Sequence, residues 1–213
     1  MTDITARRVI ASHEDVAEGA AALAARDPRL RAALEATGTP PLRWRGKGFE
    51  ALLGAIVSQQ VSVAAADAIH GRLLAAGLGA PAPILAASEE ALRACGLSRQ
   101  KVRYLKALAA AEIDWEGLGA RSTEEVVAEL TALPGIGRWT AEIYAIFSLG
   151  HADAFAAGDL ALQESARILY GLPERPTERE LRLLAEPWAP WRAVAARLLW
   201  AYYRVARGRE GVR

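Results

Sequence analysis

The sequence predicts an all-α fold, and three observations carry that expectation. Ala, Leu, Arg and Glu dominate, and all four are strong helix formers. No run alternates β-branched and polar residues as a half-buried strand would. Gly and Pro fall at intervals that cut the chain into helix-length pieces with short connections.

The elements follow in order. A first amphipathic helix is expected from Glu14 to Ala25 and a second from Pro28 to Ala36, after which Gly38, Pro40 and Pro41 break the chain. Phe49, Leu52, Leu53, Ile56 and Val57 recur at i, i+3, i+4, i+7 and i+8, which is one face of a helix. After a break from Ser58 to Ser62, another helix runs to about Ala75, and a loop is expected from Gly77 to Pro83. Ser88 caps a short helix ending near Gly96, and Ser98 caps the next, to about Glu112. Ser122 with Glu125, and Thr177 with Glu180, have the form of capping boxes. Helices over 123–132 and 138–149 flank the run LPGIG, and a loop from Gly150 to Gly158 leads to a helix starting at Asp159. In the last helix, Pro190 to Arg207, Trp191, Val194, Ala195, Leu198, Leu199 and Tyr202 form the core stripe. Trp200 falls opposite Trp191, on a face with Arg197 and Arg204. An aromatic so placed either meets a ligand or packs on the N-terminal helices, and the sequence leaves both open.

The 213 residues are 52% hydrophobic and 24% charged, enough for a real core in one compact domain or two small lobes. No secretory signal and no apolar run of about 20 residues is present, so a membrane span is not expected. The one cysteine, Cys95, can neither close an internal disulfide nor hold a metal cluster, and a cytoplasmic protein fits both facts. The net charge of +1 does not announce a nucleic-acid binder. Local basic clusters at Arg43, Arg45 and Lys47, at Arg99, Lys101, Arg103 and Lys106, and from Arg204 to Arg213 fit either phosphate binding or solvated helix faces. His13, His70 and His151 are scattered without zinc-site spacing, and His151 reads as a solvated loop residue or a DNA contact.

Leu133-Pro134-Gly135-Ile136-Gly137 lies between two expected helices. A tight glycine turn ending at a helix N-terminus presents unpaired backbone N–H groups and the positive end of the helix dipole, which together suit a phosphate. Arg138 adds charge and Thr140 a hydroxyl. Taken alone, the turn reads first as an ordinary helix–helix connection with glycine for tightness.

The longer run LPGIGRWT, Leu133 to Thr140, resembles the helix–hairpin–helix of HhH-GPD base-excision DNA glycosylases, whose pattern continues to an Asp about 20 residues on. Here the loop Asp153 to Gly158 precedes Asp159. Ser58-Gln59-Gln60-Val61-Ser62 and Gly96-Leu97-Ser98-Arg99-Gln100-Lys101 are similar to two further family elements. The resemblance spans about residues 45 to 205 and is greatest to the alkylation-repair branch of 3-methyladenine DNA glycosylase II, in an AlkA-like, short, all-helical form without the N-terminal β-domain of some members.

The resemblance implies a two-lobed helical fold, with one lobe at about 48–143 ending in the hairpin, the other formed by 1–47 plus 144–213, and the active-site cleft between them. It implies Asp159 as the catalytic carboxylate, and the residue also reads as an ordinary helix N-cap. Trp139 and Trp200 match pocket aromatics, while Ile143 and Leu160 stand where some relatives carry pocket tyrosines, and Gly158 replaces a residue that is often acidic. A wider, less aromatic base pocket and a broader substrate range are expected from those departures. Gln60 matches the side chain that fills the gap left by a flipped base, or it is a helix-terminal Gln with ordinary hydrogen bonds. Gly135, Gly137, Arg138, Thr140, Ser98, Arg99 and Lys101 are the expected contacts to the DNA backbone. Bifunctional relatives carry a nucleophilic Lys where Trp139 stands, so base removal without strand cleavage is expected. No cofactor is expected and no iron–sulfur cluster, whose four cysteines are missing. The family's structural monovalent cation would rest on the Leu133 and Ile136 carbonyls. The implied partner is damaged double-stranded DNA, bound by a monomer associated with the nucleoid. Competing readings are a non-catalytic helix–hairpin–helix module, a glycosylase–lyase using another amine, and a helical scaffold with no DNA role.

Overall fold

The computed structural model describes residues 8–209. Asp3, Arg7 and the end of the basic tail at Arg213 lie outside the described residues. Twelve α-helices occur among the described residues, in the order α1 His13–Arg26, α2 Pro28–Thr37, α3 Gly48–Ser58, α4 Val63–Ala75, α5 Pro81–Ala86, α6 Glu89–Ala94, α7 Arg99–Ala110, α8 Thr123–Thr131, α9 Arg138–Tyr144, α10 Leu160–Tyr170, α11 Glu178–Leu184 and α12 Arg192–Arg209. Short 3-10 segments form at Gly117–Ala120 and Glu186–Trp188, and Ala145–Leu149 winds as a π-helix. The only β-pairing among the described residues is an isolated bridge, Val9 to His151. No helix among them is long and apolar enough to cross a membrane.

Local chemistry sets most of the helix starts. Ser62, Ser88 and Ser98 cap α4, α6 and α7 by accepting backbone N–H groups that have no partner inside the helix. Ser12 with Asp15, Ser122 with Glu125 and Thr177 with Glu180 close full capping boxes on α1, α8 and α11. Asp27 caps α2, with Pro28 at its first position. Helix α5 corrects the expected loop from Gly77 to Pro83: Pro81 sits at the first helical position, where its missing N–H is no loss.

The chain forms two compact units, 45–144 and the combination of 1–44 with 145–213. In unit 45–144, α3 is central and packs on α4, α7 and α9 through Leu52, Leu53, Ile56 and Val57. Its first turn lacks a side-chain cap, and the Gly48 N–H instead donates to the Tyr144 hydroxyl at 2.8 Å.

In the other unit, α12 packs against α1, α2 and α10. Gly19 lets α1 seat on Trp191, since a Cβ there would lie 2.6 Å from the indole ring. The N-terminal segment is tied to the loop before α10 by Ile10 N–H to Gly150 C=O at 2.7 Å and Ala152 N–H to Arg8 C=O at 3.1 Å. These contacts enclose His151 completely, which corrects the expectation of a solvated histidine or a DNA contact. Arg197 is a second correction. It is only 3% exposed rather than part of a solvent-facing polar stripe. Its guanidinium donates to the carbonyls of Leu42, Ala193 and Ile146 at 3.2, 3.0 and 3.1 Å, so three segments share one buried cation.

Candidate active site

The hairpin is built within unit 45–144. After α8, Leu133 N–H bonds Leu130 C=O and Ile136 N–H bonds Leu133 C=O, both at 3.2 Å, and this closes the turn. Gly135 has φ 87°, and a Cβ there would fall 2.3 Å from the Tyr104 ring. The left-handed backbone and the tyrosine face both require glycine at that place. Gln59, the C-terminal cap residue of α3, holds the turn from behind by donating from Nε2 to the Gly135 carbonyl at 2.8 Å.

A cavity of about 530 Å³ lies against this turn, lined by Leu133 to Gly137, Gln59, Gln60, Ser98, Lys101 and Tyr104 among others. Gln60 is exposed and held at φ 56°, a conformation rare for a side chain other than glycine. A left-handed residue is common just past a helix C-terminus, and Gln60 follows the cap residue of α3, so the backbone fits either reading of this glutamine. Ser98 uses its hydroxyl to cap α7 at 3.2 Å from Lys101 N. The Lys101 ammonium donates to the Val57 carbonyl at the end of α3 at 2.7 Å, and its burial pushes the pKa below the usual lysine range.

Arg99, Arg138 and Thr140 lie outside the lining of this cavity. Arg99 pairs loosely with Glu89 at 3.8 Å, on the surface. Arg138 bonds the buried Glu142 at 2.9 Å, one helical turn on. Thr140 is 9% exposed, because α9 turns most of that face into the core. Trp139, in contrast, is 48% exposed, and Ile143 is buried at 7%.

Asp159 lies in the other unit, as the N-cap of α10. Its Oδ1 accepts from Ala161 N at 2.9 Å, Leu162 N at 3.0 Å and the Trp200 indole Nε1 at 3.1 Å. The N-cap reading is therefore correct as structure, and the indole bond adds a second anchor from α12. The loop leading in is fixed as well. Arg192 grips Asp153 through two bonds of 2.7 and 2.5 Å, and the buried Gln163 amide donates to Ala157 C=O at 2.9 Å. Ser165 ties α10 to α12 through Leu199 C=O at 2.8 Å.

Trp200 stacks on Phe147 of the π-helical segment, with ring centroids 5.5 Å apart and planes tilted by 32°. Phe147 in turn lies under the Arg197 guanidinium at 4.8 Å. Leu160, next to Asp159, is 62% exposed. A half-buried carboxylate at the positive end of a helix, locked by three donors and edged by an aromatic, is equipped to stabilise a cation forming beside it.

Of the predicted residues, the structure gathers Gln60, Ser98, Lys101, Leu133, Gly135, Ile136 and Gly137 at one cavity, and joins Asp159 to Trp200 in the other unit. Gln59, Tyr104, Phe147 and Arg197 join these sites without any mark in the sequence as site residues. Gln59 sits in the same SQQVS run as Gln60, but nothing in that run tells which glutamine turns inward. No group of three or more His, Cys, Asp or Glu among the described residues is placed to hold a metal ion. The Leu133 carbonyl accepts one hydrogen bond, from Ile136 N–H, which leaves its second lone pair for another partner.

Residues 53–190 match the HhH-GPD superfamily of base excision DNA repair proteins. DNA-3-methyladenine glycosylase 1 of Schizosaccharomyces pombe is 36% identical over 174 residues, covering 78% of this chain and 76% of that protein. The structure of the S. pombe 3-methyladenine DNA glycosylase in complex with abasic DNA superposes with a TM-score of 0.73 at 34% identity, covering 86% of this chain and 95% of that one. A DNA-3-methyladenine glycosidase from Bacillus halodurans superposes with a TM-score of 0.80 at 34% identity, covering 87% and 88%.

Proposed function

The chain belongs to the HhH-GPD superfamily of base excision DNA repair proteins, and from that membership we propose that it is a DNA-3-methyladenine glycosylase, which hydrolyses the N-glycosyl bond of alkylated bases in duplex DNA and leaves an abasic site. The observation that carries the chemical assignment is the Asp159 carboxylate, fixed by the α10 amides and by Trp200.

N-alkylation at a purine ring nitrogen makes the base cationic and weakens its bond to the sugar. As that bond breaks, positive charge grows on the sugar. Asp159 is the group suited to stabilise it and to orient the attacking water. Because the carboxylate is held in place before the reaction, little reorganisation is needed at the transition state. The flipped, electron-poor base is taken by stacking on Trp200, the aromatic bonded to Asp159, whose π face favours a cation. Gln60 fills the vacated position in the duplex, and its exposure beside the hairpin turn supports this role. The Gly135 and Gly137 amides hold the sugar–phosphate backbone. The Leu133 and Ile136 carbonyls would hold a monovalent cation that keeps the turn in shape. Trp139 offers no amine, so the enzyme does not cleave the strand. Leu160, exposed beside Asp159, leaves the pocket less aromatic than a tyrosine would, and this supports acceptance of several N-alkylpurines.

The test is incubation with methylated duplex DNA. Released free purine bases, with abasic sites that break only after alkali and no borohydride-trapped covalent adduct, are the expected products. An adduct would assign a lyase, and binding without release would assign a non-catalytic module.

A further inference from the structure

Three arginines line one small groove beside Trp200. Arg43, Arg197 and Arg204 share it with Phe147, Trp200 and two prolines, and no carboxylate among the described residues lines it. On α12, Arg197, Trp200 and Arg204 follow at i, i+3 and i+7, so they share one helical face. Like charges gathered without a counter-charge repel one another, unless an anion completes the set.

The three arginines are not equivalent. Arg197 is internal, satisfied by three carbonyls and the Phe147 face. Arg43 and Arg204 are exposed, and neither has a hydrogen bond or ion pair among the described residues. Arg43 is also held at φ 49°, in the left-handed region that side chains avoid. Next to it, the Leu42 carbonyl accepts from the buried Arg197 at 3.2 Å. A strained residue persists only where its surroundings impose it, and such residues gather at ligand sites. Here the strain places a free guanidinium on the groove that Trp200 edges, and Trp200 is bonded to Asp159.

We propose that Arg43 and Arg204 form a phosphodiester subsite that takes a backbone phosphate of the strand whose base Asp159 releases. The proposal rests on the glycosylase reading and adds to it a second backbone grip, made by other residues than the hairpin. Paired planar guanidinium groups suit a phosphate, since each can give two parallel N–H donors to its oxygens. The buried Arg197 holds the Leu42 carbonyl beside Arg43 and is the positioning residue.

The test is binding to an abasic-site duplex over a series of chloride concentrations, for wild type, Arg43→Gln/Arg204→Gln, Arg204→Gln alone and Arg43→Lys/Arg204→Lys. Removing one phosphate neutralisation makes the slope of log affinity against log salt shallower by about 0.9. The double Gln variant is expected to show about that change and the Arg204→Gln variant a part of it, while the Lys pair keeps the slope. Both side chains are exposed, so the thermal midpoint stays near that of wild type. A double Gln variant with the wild-type slope, from a wild type that binds the duplex and releases methylated bases, overturns the subsite and leaves the glycosylase reading intact. A wild type that neither binds nor releases bases overturns both.

Discussion

The indole Nε1 of Trp200 donates, at 3.1 Å, to the same Asp159 oxygen that caps α10. One atom thus receives donors from two helices. The tryptophan contributes more than a stacking face: it fixes which way the carboxylate points.

Trp200→Phe separates these roles, because phenylalanine keeps an aromatic ring against Phe147 and removes the donor. A hydrogen bond to a charged group contributes roughly 1.5–3 kcal/mol, so excision is expected to fall by about ten- to a hundredfold if the bond is needed in the transition state. Single-turnover base release measures this, and affinity for an abasic duplex should hold. An undiminished rate would show that the indole N–H has no part in positioning.

The hairpin should be intolerant at Gly135. Alanine there meets both the φ of 87° and the Tyr104 ring. A destabilisation of about 2–3 kcal/mol is expected, and weaker binding of abasic duplex with it. Adding Tyr104→Ala should recover part of the thermal midpoint by removing the ring, while the backbone strain remains. An additive double variant would contradict the contact.

The Tyr170 hydroxyl donates to the Asp27 carboxylate, which also caps α2. Burial first, and then that anionic neighbour, push the tyrosine pKa well above its ordinary 10.0. A raised folded-state pKa gives stability that is complete below the unfolded value near 10 and lost as pH rises beyond it. The thermal midpoint of wild type should therefore drop above pH 10 more steeply than that of Tyr170→Phe. Parallel curves would show that Tyr170 ionises alike in both states.

Much of the fold was legible because its signals are local. Ser98, Ser122, Thr177 and Asp159 cap helices whose first turns lie within three residues of them. The turn glycine was legible too, since LPGIG places it between two helical patterns. What escaped depends on partners far along the chain. Arg197 reads as a surface residue until the carbonyls of Leu42 and Ile146, 155 and 51 positions away, enclose it. Gln59 and Gly135 are 76 positions apart, and only their contact shows which glutamine of the pair braces the turn. The lining of the groove beside Trp200 is hidden for the same reason, since Arg43 and Arg204 come from opposite ends of the chain.

The most direct test of the account is the single-turnover rate of methylated-base release by Asp159→Asn. Asparagine is as good an N-cap as aspartate, so α10 and the thermal midpoint should survive while the negative charge is removed. The account predicts a fall of at least about a hundredfold in base release, with abasic-duplex binding close to that of wild type. A variant that releases bases at the wild-type rate would contradict it.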